Sequence, residues 1–354
     1  MIIIKKINVF RRKITKLLTN SIGNSHRNHS HIKFIDDLSK INRILIVRPN
    51  HRLGNTLLYT PIIQEIIEAF PNAKIDLFVK GEVAKVVFKN YEPVKNFIIL
   101  PKKHFKKLHH YLYRWFLLIF KRYDLTINIE PKSSSGKIAS RLSNATYKYY
   151  GTEFDNIIKF DTNQSHFAKL PVYKFRNYIY KSFHEKTNEA PIKELNLRLS
   201  ESEILNANEK LNSIIPFKEK ETISIFTFAT GDKCYCEDWW NEFYGKLLIQ
   251  FPDYNIVEIL PFENVSQINF KAPTYYSKDI REIASFISNT KIFIGADSGM
   301  MHLACATKTP VIGLFSVTPI EKYGPFGKNK IGINTDRTTI NQIIEEINKI
   351  LSKN

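Results

Sequence analysis

Short β-branched runs alternate with helix-period stretches twice along this chain, and no other feature of the sequence constrains its fold as much. Arg43–Arg48 (RILIVR) has the length and composition of a buried strand. A loop over Pro49–Leu53 leads to Gly54 and a predicted helix to about Phe70, with Leu57, Leu58, Pro61, Ile62, Ile66 and Ala69 at helical spacing; Phe70-Pro71-Asn72-Ala73 stops it. Ile75–Val79, Phe97–Leu100 and Leu125–Ile129 read as further strands, with a basic helix over 103–122 between the last two. Residues 181–216 turn polar, contain Pro191 and predict one helix at about 200–213, as a connection between domains does. The alternation then restarts: strands at Ile223–Phe228, Asn255–Leu260, Lys291–Gly295 and Pro310–Phe315, helices at Trp239–Gln250, Ile280–Ser288, Met300–Ala306 and Ile340–Leu351. No internal sequence repeat relates the two halves. The expectation is α/β, with two parallel-sheet units facing across a cleft and ligands beyond the carboxyl ends of the strands. The boundaries expected are a basic extension at 1–42, a first unit at 43–185, a linker at 186–216 and a second unit at 217–354.

The 354 residues fit two such units. The longest apolar stretches, such as Trp115–Phe120, fall far short of the roughly 20 residues of a membrane span. The start, three isoleucines and two lysines after Met1, lacks the apolar core of a secretory signal. Cys234, Cys236 and Cys305 make neither a disulfide framework nor a zinc ligand set, which suits the reducing cytoplasm. The net charge of +18 is unevenly spread: residues 1–43 carry ten Lys/Arg against Asp36 and Asp37, and residues 101–123 carry seven with no acid. Such patches fit anionic lipid headgroups, nucleic acid or a phosphorylated substrate; the alternative is a lysine-rich coding bias with solvated side chains.

Two stretches carry chemistry. In Lys291–Tyr323, a strand ends at Gly295 and Asp297-Ser298-Gly299 turns into a helix. Asp and Ser cap helices, Gly299 lets a ligand near the backbone, and free N–H groups there attract anions. His302 lies on the same face as Ser298, placed to donate to a phosphate oxygen. A capped helix with a buried histidine would give the same pattern. In Arg48–Pro61 (RPNHRLGNTLLYTP), strand, loop, glycine and helix follow again, with Gly54 permitting close approach.

Together the two stretches resemble glycosyltransferase family 9, the ADP-heptose:lipopolysaccharide heptosyltransferase family. The first is similar in Gly54-Asn55-Thr56-Leu57-Leu58-Tyr59-Thr60-Pro61 and Phe70-Pro71-Asn72-Ala73-Lys74-Ile75-Asp76. The second is similar in Gly295-Ala296-Asp297-Ser298-Gly299-Met300-Met301-His302-Leu303-Ala304-Cys305-Ala306, then Pro310 and Leu314-Phe315-Ser316-Val317-Thr318. Tyr123–Glu130 resembles a third family stretch. The resemblance, over about 43–335, implies a GT-B fold and an inverting, metal-independent transfer from a nucleotide-diphospho-sugar, with no cofactor. The donor, ADP-heptose-like, would sit on the second unit, held by Asp297, Ser298, Gly299 and His302, with Lys233 helping. Thr227 and Thr230 would add hydroxyls, and Glu258, at a strand end, would meet a ribose hydroxyl or simply be solvated. A lipid-linked glycan acceptor would sit on the first unit near Gly54, Asn128 and Lys132. The setting implied is lipopolysaccharide or other surface-glycan assembly by a cytoplasmic protein, peripheral at the anionic inner membrane surface, with nucleic acid no partner.

The sequence departs from the family where the chemistry is. The family's base is an aspartate after the glycine; here it is Asn55, whose amide cannot take a proton at neutral pH. The preceding loop is one residue longer. Aligning Trp239-Trp240-Asn241-Glu242-Phe243 puts Glu237 where the family has a phosphate-binding lysine, leaving Lys233 as the nearest cation. His51 and Glu130 are the replacement bases considered, His51 slightly favoured by its ordinary pKa near 6.5. Asn55 would orient the acceptor hydroxyl. The rival readings are a catalytically inactive binding protein of the same fold, suggested by Asn55, and a nucleic-acid-binding protein, suggested by the charge.

Overall fold

The computed structural model describes residues 37–102, 108–153, 165–183 and 188–352, with Thr19 and Ile22. Most of the basic extension expected at 1–42, and the start of the basic helix expected at 103–122, lie outside the described residues.

The first unit is a five-stranded parallel sheet of β1 (Arg43–Arg48), β2 (Lys74–Lys80), β3 (Val94–Leu100), β4 (Arg122–Asn128) and β5 (Asn144–Tyr149), in the order β3-β2-β1-β4-β5. Its helices are α1 (Leu53–Leu57), α2 (Thr60–Ala69), α3 (Val83–Val87), α4 (Leu108–Phe120), α5 (Ser134–Leu142) and α6 (Leu170–Phe183). Helix α7 (Glu201–Ile214) leads to the second unit, whose six parallel strands are β6 (Glu221–Phe226), β7 (Tyr254–Ile259), β8 (Thr274–Tyr275), β9 (Ile292–Ala296), β10 (Val311–Phe315) and β11 (Lys330–Asn334). Their order is β11-β10-β9-β6-β7-β8. The helices there are α8 (Glu237–Gln250), α9 (Ile280–Ser288), α10 (Gly299–Cys305), α11 (Ile320–Tyr323) and α12 (Ile340–Leu351). Strand order reverses between β1 and β4, and between β6 and β9, so each sheet has a switch point where crossovers part and a ligand crevice opens.

Alternation along each strand covers both sheet faces. Ile44 and Ile46 of β1 join one apolar cluster while Leu45 and Val47 join another with Phe78, Ile98 and Leu118. In the second unit Phe293 faces one way, and Ile292 and Ile294 pack with Trp240, Phe243 and Ile343 on the other. The first of these clusters does not stop at the unit boundary. It runs from Ile46 and Ile63 through Leu197 and Leu211 of the connection to Phe286, Met301 and Phe315.

The single helix expected from Gly54 to Phe70 is broken at Leu58–Tyr59. Pro61 has no N–H for the carbonyl of Leu57, and the hydroxyl of Thr60 donates to that carbonyl instead, at 2.8 Å. The connection is pinned by buried Arg281 of α9. Its guanidinium donates to the carbonyls of Val86, Leu197 and Arg198 and pairs with Glu203 of α7 at 2.6 Å. This pairing holds the Glu203 carboxyl down to about 2.

Candidate active site

The two motifs meet. A side-chain carbon at Gly54 would lie 2.8 Å from Cδ2 of His302 and 3.4 Å from the Cα of Gly299. Helix α1 therefore packs directly on α10, and the carboxyl ends of the two sheets face each other around that contact.

On the second-unit side, the β9–α10 turn places Asp297 and Ser298. Ser298 caps α10, accepting from the N–H of Met301 at 3.3 Å. Buried Asp297 accepts at Oδ2 from Nζ of Lys233, at 2.6 Å, and from the hydroxyl of Thr318. Asp297, expected at the donor, anchors Lys233 and Thr318 at the crevice edge. Lys233 does reach the site, from a short 3-10 turn over Gly231–Lys233, and is one-third exposed. His302 is buried and its Nδ1 has no partner. Burial holds its pKa down to about 4, against the pull of Asp297, so the ring is neutral at pH 7. Tyr235 stacks on Trp239, with centroids 4.5 Å apart, and shares a 2.8 Å hydrogen bond with Thr335.

Thr227 and Glu258, also expected at the donor, are joined to each other. Glu258 is fully buried, accepting from Thr227 at 2.6 Å and from Ser266 at 2.7 Å. The pair fastens the loop after β7 to the end of β6. Thr230 is exposed beside Lys233.

On the first-unit side, a small pocket is lined by Arg48, Asn55, Leu58, Tyr59, Glu130 and Phe167, among others. Arg48 lies 3.6 Å from Glu130, whose other oxygen accepts from the backbone N–H of Lys132 at 3.3 Å. Arg48 also lies over the ring of Tyr59 at 5.9 Å. The Asn55 amide makes no hydrogen bond among the described residues, and the Lys132 side chain is exposed. His51 is not among the pocket residues. It sits against the Gly81 turn, its pKa lowered by partial burial and by Lys80, Lys102 and Arg52. Asn128, expected at the acceptor, is fully buried and donates to the carbonyl of Tyr150 at 3.1 Å; it supports the β4 end from beneath. The sequence reading missed Arg48, Thr318 and Phe167. Arg48 ends β1 at the first sheet's switch point and Thr318 follows the end of β10, a signal available without a structure; Phe167 carries none.

Phe167 also closes the far side. Its ring stacks on Tyr323 at 4.7 Å and its N–H donates to the carbonyl of Lys322. The neighbouring His166 is hydrogen-bonded to the carbonyl of Gly324 at 3.0 Å.

Residues 277–349, from before α9 through most of α12, match the family model for glycosyltransferase family 9 (heptosyltransferase). The resemblance to family 9 holds. The matched segment contains Asp297, Ser298, Gly299, His302 and Thr318 of the second-unit side of the site, and Lys233 lies outside it. No curated protein sequence matches the chain. Among solved structures, it is similar to a glycosyl transferase family 9 protein from Veillonella parvula DSM 2008, with TM-score 0.72 and 15% identity over 91% of this chain and 99% of that one. It is similar to the E. coli heptosyltransferase WaaC solved with ADP, with TM-score 0.64 and 18% identity over 87% and 99%. It is also similar to the E. coli ADP-heptose lps heptosyltransferase II, with TM-score 0.64 and 15% identity over 88% and 99%. The fold is GT-B.

Proposed function

We propose that this chain is an inverting, metal-independent glycosyltransferase. It would move a heptose-like sugar from an ADP-type nucleotide-diphospho-sugar to a lipid-linked glycan such as lipopolysaccharide. The observation that carries the reading is the contact of Gly54 with His302, which brings a cation-and-hydroxyl cluster against a carboxylate pocket. WaaC has been solved with ADP and with ADP-2-deoxy-2-fluoro heptose, which supports the donor class.

In this reading Lys233, Thr318, the Ser298 hydroxyl and the neutral N–H of His302 take the diphosphate. Binding pulls Lys233 part-way from Asp297, and all four groups stabilise the charge that grows as the nucleoside diphosphate leaves. The acceptor hydroxyl lies in the Asn55 pocket. Its oxygen forms the new bond to the anomeric carbon as the carbon–phosphate-oxygen bond breaks, and its proton passes to Glu130. Asn55 orients the hydroxyl and Arg48 positions Glu130. Glu130 takes precedence over His51 because it shares the pocket with Asn55. The acceptor's lipid places the reaction at the anionic inner face of the cytoplasmic membrane, in keeping with the basic segments and the apolar exposure of α4.

A panel of sugar nucleotides in a thermal-shift screen is the first test. A donor at 100 times its Kd stabilises by roughly 2.7 kcal/mol. With that donor, Glu130→Gln should lower kcat by about 10²–10⁴-fold and leave donor affinity unchanged, while His51→Ala stays near wild type. Failure of every sugar nucleotide to raise the melting temperature would sink the reading.

A further inference from the structure

The first unit has a cavity at the opposite end of its sheet from the site. It measures about 470 Å³ and is lined by Arg43, Lys74, Lys95 and Lys121 with Asp76 and Tyr123, where β1, β2, β3 and β4 begin. Asp76 is 4% exposed and fully engaged: it accepts from Asn96 and Tyr123, each at 2.8 Å, and pairs with Lys121 at 2.5 Å. Its charge is cancelled by Lys121, which leaves the other three cations. Among the described residues Arg43, Lys74 and Lys95 have no acidic partner within salt-bridge distance, and all three are exposed. Three unpaired cations over one concave floor create a positive potential that a surface lysine alone does not.

Lys121 is also the residue that follows α4. One face of that helix, with Tyr111, Trp115 and Leu118, packs on the sheet. The other exposes Leu112, Tyr113, Phe116, Ile119 and Phe120, with Phe116 at 53% and Phe120 at 63% and their rings 4.0 Å apart. Water gains nothing from this face, and Arg114 is the helix's one charged residue. The apolar face ends at the rim of the cationic cavity. Apolar side chains beside a basic concavity are complementary to a bilayer surface, where acyl chains lie beside phosphates.

We propose that the cavity is a headgroup site, taking the phosphate of an anionic lipid from the bilayer that the α4 face enters. The proposal rests on the membrane reading above and adds a position to it. Arg43 can grip a phosphate with two N–H groups while Lys74 and Lys95 supply charge. Bound there, the chain would be held by the amino end of its first sheet.

The test is sedimentation of the full chain with vesicles of phosphatidylcholine, with or without phosphatidylglycerol. Wild type should bind the anionic vesicles alone. Lys74→Glu/Lys95→Glu should bind roughly tenfold or more weakly, and Phe116→Ser/Phe120→Ser should also lose binding. Lys218→Glu/Lys308→Glu, an equal charge change on exposed lysines of the second unit, should not. Melting curves keep the variants comparable, since all these side chains are exposed. If wild type binds but Lys74→Glu/Lys95→Glu binds as well, or no worse than the second-unit control, the headgroup site is overturned while the membrane reading stands. Unchanged binding by Phe116→Ser/Phe120→Ser overturns the joint surface. If wild type ignores anionic vesicles, both readings fall. Inorganic phosphate titrated calorimetrically without vesicles separates the sources: binding lost in Lys74→Glu/Lys95→Glu, from a chain that ignores vesicles, assigns the cavity to free phosphate and overturns the lipid.

Discussion

His302 is neutral because it is buried, and that has a price in acid. An unfolded histidine takes a proton near 6.5, the folded His302 only at about 4. Between those values the unfolded chain binds the extra proton, so up to about 3 kcal/mol of stability, present above pH 6.5, is lost as pH falls toward 4. Glu153 acts in the opposite sense. Burial pushes its carboxyl up to about 7, so its contribution is full below 4.5 and lost as pH rises through 7. Urea unfolding at pH 5 and pH 7 separates the two. His302→Gln should lose less stability than wild type on going to pH 5, and Glu153→Gln should lose more; parallel behaviour of all three would refute the assignment. The proposed function gives the same residue a contact with the donor. His302→Ala should weaken nucleoside diphosphate binding by about 1.5–3 kcal/mol in calorimetry, as loss of a hydrogen bond to a charged group does.

At the scale of elements, α7 shows how a local cap becomes a global one. Ser200 accepts from the N–H of Glu203 at 3.2 Å while Glu203 accepts back from the N–H of Ser200 at 2.8 Å. Because Glu203 also holds Arg281, the cap fixes the arginine that pins the connection. Ser200→Ala should cost about 1 kcal/mol of stability, measured by denaturant midpoint. The elements legible in the sequence were those whose burial is one-sided or complete over a strand's length: β1, β6, β10, and α9 and α12 with their bounds. Others left weaker marks. β11 (KIGIN) mixes polar and apolar residues at a sheet edge, and α6 carries Arg176, which pairs with Glu65 across the unit in an arrangement no local pattern announces. The site divides the same way. The β9–α10 turn was readable because cap, glycine and histidine are local. The sequence could place Glu258 at a strand end, yet not reveal Ser266 arriving from eight residues on to bury it.

The whole molecule is tied by the cluster that runs from Ile46 to Phe315 through the connection. Opening the units widely would expose that apolar surface, so closure around a donor is expected to be a small motion. Thermal unfolding should appear as one cooperative transition by both far-UV circular dichroism and tryptophan fluorescence. Two separated transitions would show that the shared cluster contributes little. The cleft's far side is latched more lightly, by Phe167 on Tyr323 and His166 on Gly324. Phe167→Ala should raise the KM for the acceptor more than that for the donor, since Phe167 lines the Asn55 pocket.

The contact of Gly54 with His302 also limits how this chain can be inherited. Any side chain at position 54 collides with the His302 ring, and under the proposed function that ring cannot shrink without giving up its hydrogen bond to the donor. Gly299, with its nearest neighbours at 3.4 Å, has more slack. A selection for suppressors of Gly54→Ala should therefore return restored glycine, and not a smaller residue at 302.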